Sequence, residues 1–341
     1  MKRYLRITRW YLTFIEKDKK NFFEVLAYAV FYLLSLLYGG VIFLRNACYN
    51  CKITDVYHSK AKVISIGNIS WAGSGKTSFS MWLYKHLSVS LKTAILRRGY
   101  GIDEGELLRS QVNNVFEGKN RAKLAENLDL SFDAFILDDG FQHRCLWRNI
   151  DIVIMGSREF KRTHNLIPAY FFREPLSSLK RADIIIINYS DEIENLSEVK
   201  KRILNIASKS KVYFSHYKVK KFSTRDNNEV FLSELKGKKI AAFCAIGYPQ
   251  GFFNKIKETG LNPLKQFVYP DHYQLTQEDL DVIAEKMAKE GIKSLLITAK
   301  DRHRFEGSNR DFNIFIMEVE LVIVEENELK KHIERLLCIS S

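Results

Sequence analysis

Cysteine is scarce and unpaired. The five residues Cys48, Cys51, Cys145, Cys244 and Cys338 in 341 make no disulfide framework, and an odd set of scattered thiols fits a reducing compartment. Cys48 and Cys51 form one C-x-x-C, yet no second pair and no histidine ligands at matching spacing follow, which argues against a zinc site. Internal repeats and low-complexity tracts are also missing, so a solenoid or a disordered chain is set aside. Acidic residues are in deficit: 40 Asp and Glu against 53 Lys and Arg give a formal charge of +13. That surplus suits anionic partners such as nucleic acid, nucleotides or acidic lipid headgroups. The basic residues are dispersed and no nucleic-acid-binding module is recognisable, so nucleic acid is not an expected partner.

The charge is least dispersed at the N-terminus. Lys2, Arg3, Arg6, Arg9, Lys17, Lys19 and Lys20 face only Glu16 and Asp18. The run Leu26 to Leu44, "LAYAVFYLLSLLYGGVIFL", then carries no charge. As a helix it nearly spans a hydrocarbon core. Tyr28, Tyr32 and Tyr38 suit the membrane interface, and no small-residue cleavage site follows, so this is no cleaved signal peptide. Membrane attachment is expected. Gly39-Gly40 in the run and Arg45 and Lys52 after it leave spanning and interfacial placement both open.

After Lys52 the texture is α/β. "KVISIG", "KTAILRRG", "FDAFILDDG", "IDIVIMG" and "ADIIIINY" are short apolar runs separated by helical patterns such as "KTSFSMWLYKHL" and "NRAKLAENL". Strands buried on both faces and alternating with helices predict a mainly parallel sheet. From about 211 to 238 the apolar runs shorten, as in a linker, and a second α/β unit follows from 239 to 341. The expected organisation is a basic segment and membrane helix over 1–50, a phosphate-binding lobe over 51–210, a hinge over 211–238, and a second lobe with a C-terminal helix over 239–341.

Two clusters carry chemistry. "SIGNISWAGSGKTSF" ends in Gly75-Lys76-Thr77, set between a buried strand and a helix. This is the context of a phosphate-binding loop, G-x-x-x-x-G-K-[ST], except that Ser70 stands where the first glycine belongs. Residues Ser70, Trp71, Ala72, Gly73, Ser74, Gly75, Lys76 and Thr77 are the expected nucleotide contacts. Amides around Gly73 and Gly75 and the helix N-terminus would favour phosphate, Lys76 would reach it, and the Thr77 hydroxyl would hold Mg²⁺. "FILDDGFQHR" supplies Asp138 and Asp139 at a strand end as partner carboxylates for the metal. Further on, "YFFREPL" places Arg173 and Glu174 in a loop. "YPDHYQLT" places Asp271 and His272 at a strand's carboxyl edge, where open sheets bind ligands.

Taken in order, "VISIGNISWAGSGKTSF", "ILRRGYG", "DEGELL", "FILDDGFQHR", "IPAYFFREPLSSLKRAD", "AFCAIGYPQGFF", "YPDHY" and "ITAKD" resemble the tetraacyldisaccharide 4'-kinases of lipid A biosynthesis, over essentially the whole chain. The resemblance implies a P-loop-like fold of two α/β/α lobes joined by a two-stranded hinge, with an N-terminal membrane helix. It implies transfer of the ATP γ-phosphate, with Mg²⁺, to the 4'-hydroxyl of a glucosamine-disaccharide lipid. The reaction is expected at the inner membrane, on its cytoplasmic face, with no protein partner implied. Carried over by motif, Asp103 is the base, His272 its partner, and Arg121 a charge-stabilising residue. Lys76, Thr77, Asp138, Asp139 and Glu174 are the metal and phosphate residues, with Gln142, His143, Arg173 and Asp271 beside the substrate or behind it. A base in the first lobe and a histidine in the second would assemble the site on lobe closure. The chain departs from the family at Ala72, Ile102, Gly105, Asn120, Ala245 and Tyr248, and the segment before Asp103 is short. A membrane-attached P-loop NTPase switch is the alternative; the Arg173-Glu174 and Asp271-His272 clusters, which a switch does not need, weigh against it.

Overall fold

The computed structural model describes residues 10–11, 13–15, 17, 19–71, 73–99, 102–160, 164–306 and 312–339, with only the backbone at 102–104 and 158. The chain forms two compact units. One comprises Met1–Tyr100, Leu108–His216 and Ile323–Ser341, the other Gly101–Leu107 and Tyr217–Val322.

Helix α1 (Phe22–Asn50) opens with a capping box. The Asn21 side chain accepts from the Glu24 amide (2.9 Å), and the Glu24 carboxylate accepts from the Asn21 amide (2.8 Å). Its 29 residues are long and apolar enough to cross a membrane, and most of its side chains are exposed.

The first unit is a parallel sheet in the order β6–β5–β1–β4–β2–β3. Its strands are β1 (Lys62–Gly67), β2 (Thr93–Arg97), β3 (Val115–Glu117), β4 (Ala134–Asp138), β5 (Ile150–Met155) and β6 (Ile184–Ile187). The start of β7 (Lys211–Thr224) continues it beside β6, also parallel. β2, β4, β5 and β6 are buried at every position, as the unbroken apolar runs predict for a parallel sheet covered on both faces. One face buries Val63, Leu96, Phe135 and Leu137; the other buries Ile69, Phe141, Val153 and Ile185. Each such side chain contributes about 1.5–3 kcal/mol on full burial. The strands that follow β1 fall on both sides of it, so its carboxyl end lies at a topological switch point. Helices α2 (Lys76–Leu87), α3 (Ile102–Arg109), α4 (Arg121–Leu128) and α5 (Leu196–Ile206) follow β1, β2, β3 and β6.

The second unit has parallel strands in the order β10–β9–β11–β12: β9 (Ile240–Cys244), β10 (Lys265–Val268), β11 (Ser294–Thr298) and β12 (Asn313–Ile323). β8 (Glu229–Val230) pairs antiparallel with the end of β7. Helices α6 (Pro249–Glu258) and α7 (Gln277–Lys289) connect the strands, and α7 starts on the Thr276–Asp279 capping box.

The chain leaves the first unit within β7 and returns within β12. The region 211–238, read as a linker, therefore begins with a 14-residue strand. Its first part is mostly buried, while Lys218, Val219, Lys220 and Lys221 are exposed or half-buried, and this basic stretch is what weakens the apolar run. The C-terminal helix α8 (Glu326–Leu337) belongs to the first unit. There the Val324 amide donates to the Phe214 carbonyl (3.0 Å) and the Trp82 indole donates to Glu326 (3.1 Å). The segment Gly101–Leu107, which holds Asp103, is grouped with the second unit.

Candidate active site

β1 and β4 are neighbours in register, with Ile66 opposite Asp138, so the loop after β1 and the Asp138–Asp139 turn emerge side by side. Gly67 permits this: a Cβ there would meet Phe141 Cβ at 2.5 Å and its backbone nitrogen at 2.6 Å. Gly75 caps α2 at φ 90, a left-handed conformation that a side chain would strain. Lys76 and Thr77 then open the helix, whose N-terminus favours an anion.

The loop is braced on all sides. Asn68 Nδ2 donates to Ser74 Oγ (3.2 Å), and Asn188 Nδ2 donates to the Ser74 carbonyl (2.9 Å). The Trp71 amide donates to the Phe171 carbonyl, and the Arg173 amide to the Ile69 carbonyl, both at 2.8 Å. Ser70 is buried, and its hydroxyl donates to Glu159 (2.7 Å). The residue at the first-glycine position thus anchors the loop to Glu159. The Trp71 side chain is exposed. Ala72 lies outside the described residues.

The charged centre is a short relay. Lys76 Nζ lies 3.5 Å from Asp139 Oδ1, and Arg173 Nη1 donates to both Asp139 carboxylate oxygens at 3.0 Å. Burial works to raise the Asp139 carboxyl, but Lys76, Arg173 and Arg121 overcome it and hold the group well below the usual carboxylate range. Asp139 itself sits at φ 52, in the left-handed region. The buried Arg121 supports that turn, donating to the carbonyls of Asp138 (2.8 Å) and Asp139 (2.9 Å). Arg121, expected as a charge-stabilising residue, thus also braces the turn that carries the two carboxylates. Asp138 Oδ1 accepts from Ser80 Oγ (2.9 Å), a partner one turn beyond Lys76 that the motif does not include.

Glu174 is fully buried. Its carboxylate pairs with Arg181 (2.9 Å) and accepts from Gln142 Nε2 (3.0 Å) and Asn46 Nδ2 (3.1 Å). Burial tends to raise this carboxyl; Arg181 and the donors Gln142, Asn46 and Ser178 hold it below its ordinary value. The apolar helix α1 joins here a second time: Tyr38 Oη donates to the Arg173 carbonyl (3.0 Å). Nothing in the sequence pattern signals that Tyr38 and Asn46 reach these two loop residues. Burial, aided by the guanidiniums of Arg121, Arg148, Arg45 and Arg98, pushes His143 down to about 3, so it is neutral and no proton donor near pH 7.

Among the described residues no group of three or more His, Cys, Asp and Glu could by itself hold a metal. A phosphate-loop cation needs no such cage, because phosphate oxygens and water complete its shell. Thr77, at the start of α2, and Asp138, at the end of β4, are residue types that fit that arrangement.

In the second unit His272 Nε2 lies 3.6 Å from Asp271 Oδ2, and His272 is at φ 60. The loop is held by Arg304, whose Nε donates to the Tyr273 carbonyl (2.7 Å). Arg304 in turn pairs with the fully buried Asp301 (3.0 Å), which accepts from Thr298 Oγ1 (2.6 Å) and the Ala245 amide (3.2 Å). Asp301→Ala leaves a buried guanidinium without its carboxylate. It is expected to cost about 3–5 kcal/mol in chemical denaturation; a loss below about 1 kcal/mol would refute this bracing. Asp103 lies on α3, with its side chain outside the described residues.

A family model described as LpxK, tetraacyldisaccharide-1-P 4'-kinase, matches residues 27–114 and 102–338. This chain belongs to that family. It is a kinase by that membership. A tetraacyldisaccharide 4'-kinase of Halothermothrix orenii is 27% identical over 93% of this chain and 94% of its own length. That of Chlamydia caviae is 30% identical over 72% of each. The crystal structure of an "apo" form of LpxK from Aquifex aeolicus in complex with ATP superimposes with a TM-score of 0.68 at 28% identity, covering 89% of this chain and 97% of that one. The two matched segments of the kinase overlap at 102–114, around Asp103, where the sequence reads as shortened.

Proposed function

We propose that this kinase transfers the γ-phosphoryl group of ATP to the 4'-hydroxyl of a tetraacyl disaccharide 1-phosphate lipid, at the cytoplasmic face of an inner membrane. The observation that carries the reading is the Lys76–Asp139–Arg173 relay at the carboxyl ends of β1 and β4, tied by Tyr38 to an exposed apolar helix. Phosphoryl transfer asks mainly for positioning and charge neutralisation. Lys76 and the α2 N-terminus bind and orient the phosphates, Arg173 adds positive charge, and Arg121 fixes the carboxylate turn. Thr77 and Asp138 would hold Mg²⁺, which when bound neutralises phosphate charge. The proposed base is Asp103, which takes the proton of the acceptor hydroxyl as its oxygen bonds to phosphorus and ADP leaves. His272, set by Asp271 and the Tyr273–Arg304–Asp301 chain, orients that base or shares its proton.

The test is transfer of labelled phosphate from ATP to the disaccharide lipid in vesicles, resolved by thin-layer chromatography. Transfer by wild type, with loss in Asp103→Ala and His272→Ala, is expected. Nucleotide hydrolysis without transfer to the lipid would overturn the reading in favour of an NTPase switch. Full activity in Asp103→Ala would remove the assignment of the base.

A further inference from the structure

The carboxyl end of α1 carries a cluster of cations that the phosphate-loop relay does not use. Arg45 donates to the Gln142 carbonyl, and its guanidinium lies 5.7 Å from the Tyr49 ring centre. Arg144 approaches the same ring at 5.0 Å and donates to the Asn46 carbonyl (3.1 Å) and to Asn50 Oδ1 (2.8 Å). The neighbouring cations are neutralised: Arg148 by Asp151 (2.9 Å) and Arg181 by Glu174 (2.9 Å). Arg45 and Arg144 are not. Among the described residues they have neutral hydrogen-bond acceptors and no carboxylate at ion-pair distance. Both are half-buried, so neither charge is fully solvated and both remain reachable.

The local field has the same sign. Burial pushes Arg144 down to about 10, Arg181, Arg148 and Arg45 add to the shift, and only Glu174 opposes it. Two half-desolvated guanidiniums on one tyrosine ring, without a counter-charge, form a strong place for a multivalent anion, since forked donors suit phosphate oxygens. The site's position selects the kind of anion. The residues just before Arg45, Val41, Phe43 and Leu44, are exposed and apolar. A ligand with acyl chains along α1 would bring its headgroup to Arg45 and Tyr49, the depth at which aromatic and basic side chains meet headgroups.

We infer that Arg45 and Arg144, stacked on Tyr49, form a binding site for the phosphate headgroup of a lipid, distinct from the nucleotide phosphates at Lys76. The headgroup can be the acceptor's own phosphate, an assignment that rests on the proposed function, or that of a bilayer phospholipid, which does not. Losing one or two charge-assisted hydrogen bonds to phosphate weakens binding about 10- to 100-fold.

The test compares the full chain with the Arg45→Gln/Arg144→Gln double variant and with Arg45→Lys, each checked for wild-type thermal melting. Phosphorus NMR of phosphatidic acid in neutral-lipid nanodiscs reads binding without turnover. Wild type is expected to shift the resonance, the double variant to leave it in place, and Arg45→Lys to keep most of the shift. In neutral vesicles, the double variant is expected to raise KM about tenfold or more for the phosphorylated acceptor, with KM for a dephosphorylated acceptor unchanged; that outcome assigns the site to the acceptor. An unchanged KM, with phosphatidic acid competing only against wild type, assigns it to bilayer phospholipid. Identical NMR shifts and KM values in wild type and double variant overturn the inference. Absence of transfer by wild type would count against the proposed function alone, because the NMR comparison still reads the site.

Discussion

Lys76→Ala is expected to lower the rate of phosphoryl transfer about 10²–10³-fold, the usual effect of removing one preorganised charge from a transition state. Lys76 opens α2 directly after the left-handed Gly75, so the backbone fixes where its side chain begins. Asp139 holds the ammonium at 3.5 Å and is itself clamped by Arg173. The carboxylate thus keeps two cations gathered where nucleotide phosphates would take over the pairing. Asp139→Asn keeps the shape but removes the charge that gathers them. If Asp139 works through Lys76, the double variant Lys76→Ala/Asp139→Asn loses little more than Lys76→Ala alone, the non-additivity expected of residues that act as a unit. Single-turnover transfer from labelled ATP, with nucleotide binding measured in parallel, reads both. A loss below about tenfold in Lys76→Ala would remove Lys76 from the chemical step. The sign of the pH dependence follows from the depressed Asp139 carboxyl. Its contribution to stability is present above the ordinary carboxylate pKa of about 3.9 and is lost as pH falls through the lower folded value.

The parallel sheet and the phosphate loop were legible because local signals sufficed. Unbroken runs such as "AFILD" and "IIII" can be buried only with both faces covered, and Gly75-Lys76-Thr77 is contiguous. What the sequence hid is contact over long separation. Ser70 reads as a missing glycine, and only Glu159, 89 residues on, explains its hydroxyl. Arg121 reads as a source of positive charge, and only the fold shows that its Nη1 donates to two carbonyls of the Asp138–Asp139 turn. The Lys211–Thr224 strand was obscured because it is partly exposed, so polar residues interrupt the pattern that buried strands keep.

Glu174 is where motif and environment diverge most, and its removal is the second large effect expected. The motif places it among the metal residues, whereas the fold surrounds its carboxylate with Arg181, Gln142, Asn46 and Ser178 and buries it completely. A buried carboxylate so paired is costly to remove, because its partners stay behind desolvated. Glu174→Ala should cost about 3–5 kcal/mol, and Glu174→Gln less, since the amide keeps part of the hydrogen bonding and loses the charge facing Arg181. The Asn46 bond adds a consequence at distance: helix α1 loses its tie to Glu174, leaving Tyr38 on the neighbouring Arg173 carbonyl. Two measurements on purified protein in detergent separate the roles. A carboxylate that organises the loop predicts a lower denaturation midpoint and an unchanged Mg²⁺ concentration for half-maximal transfer. A carboxylate on the metal predicts the reverse: near wild-type stability with a raised Mg²⁺ requirement in Glu174→Gln. The four protein partners already on Glu174 favour the first outcome.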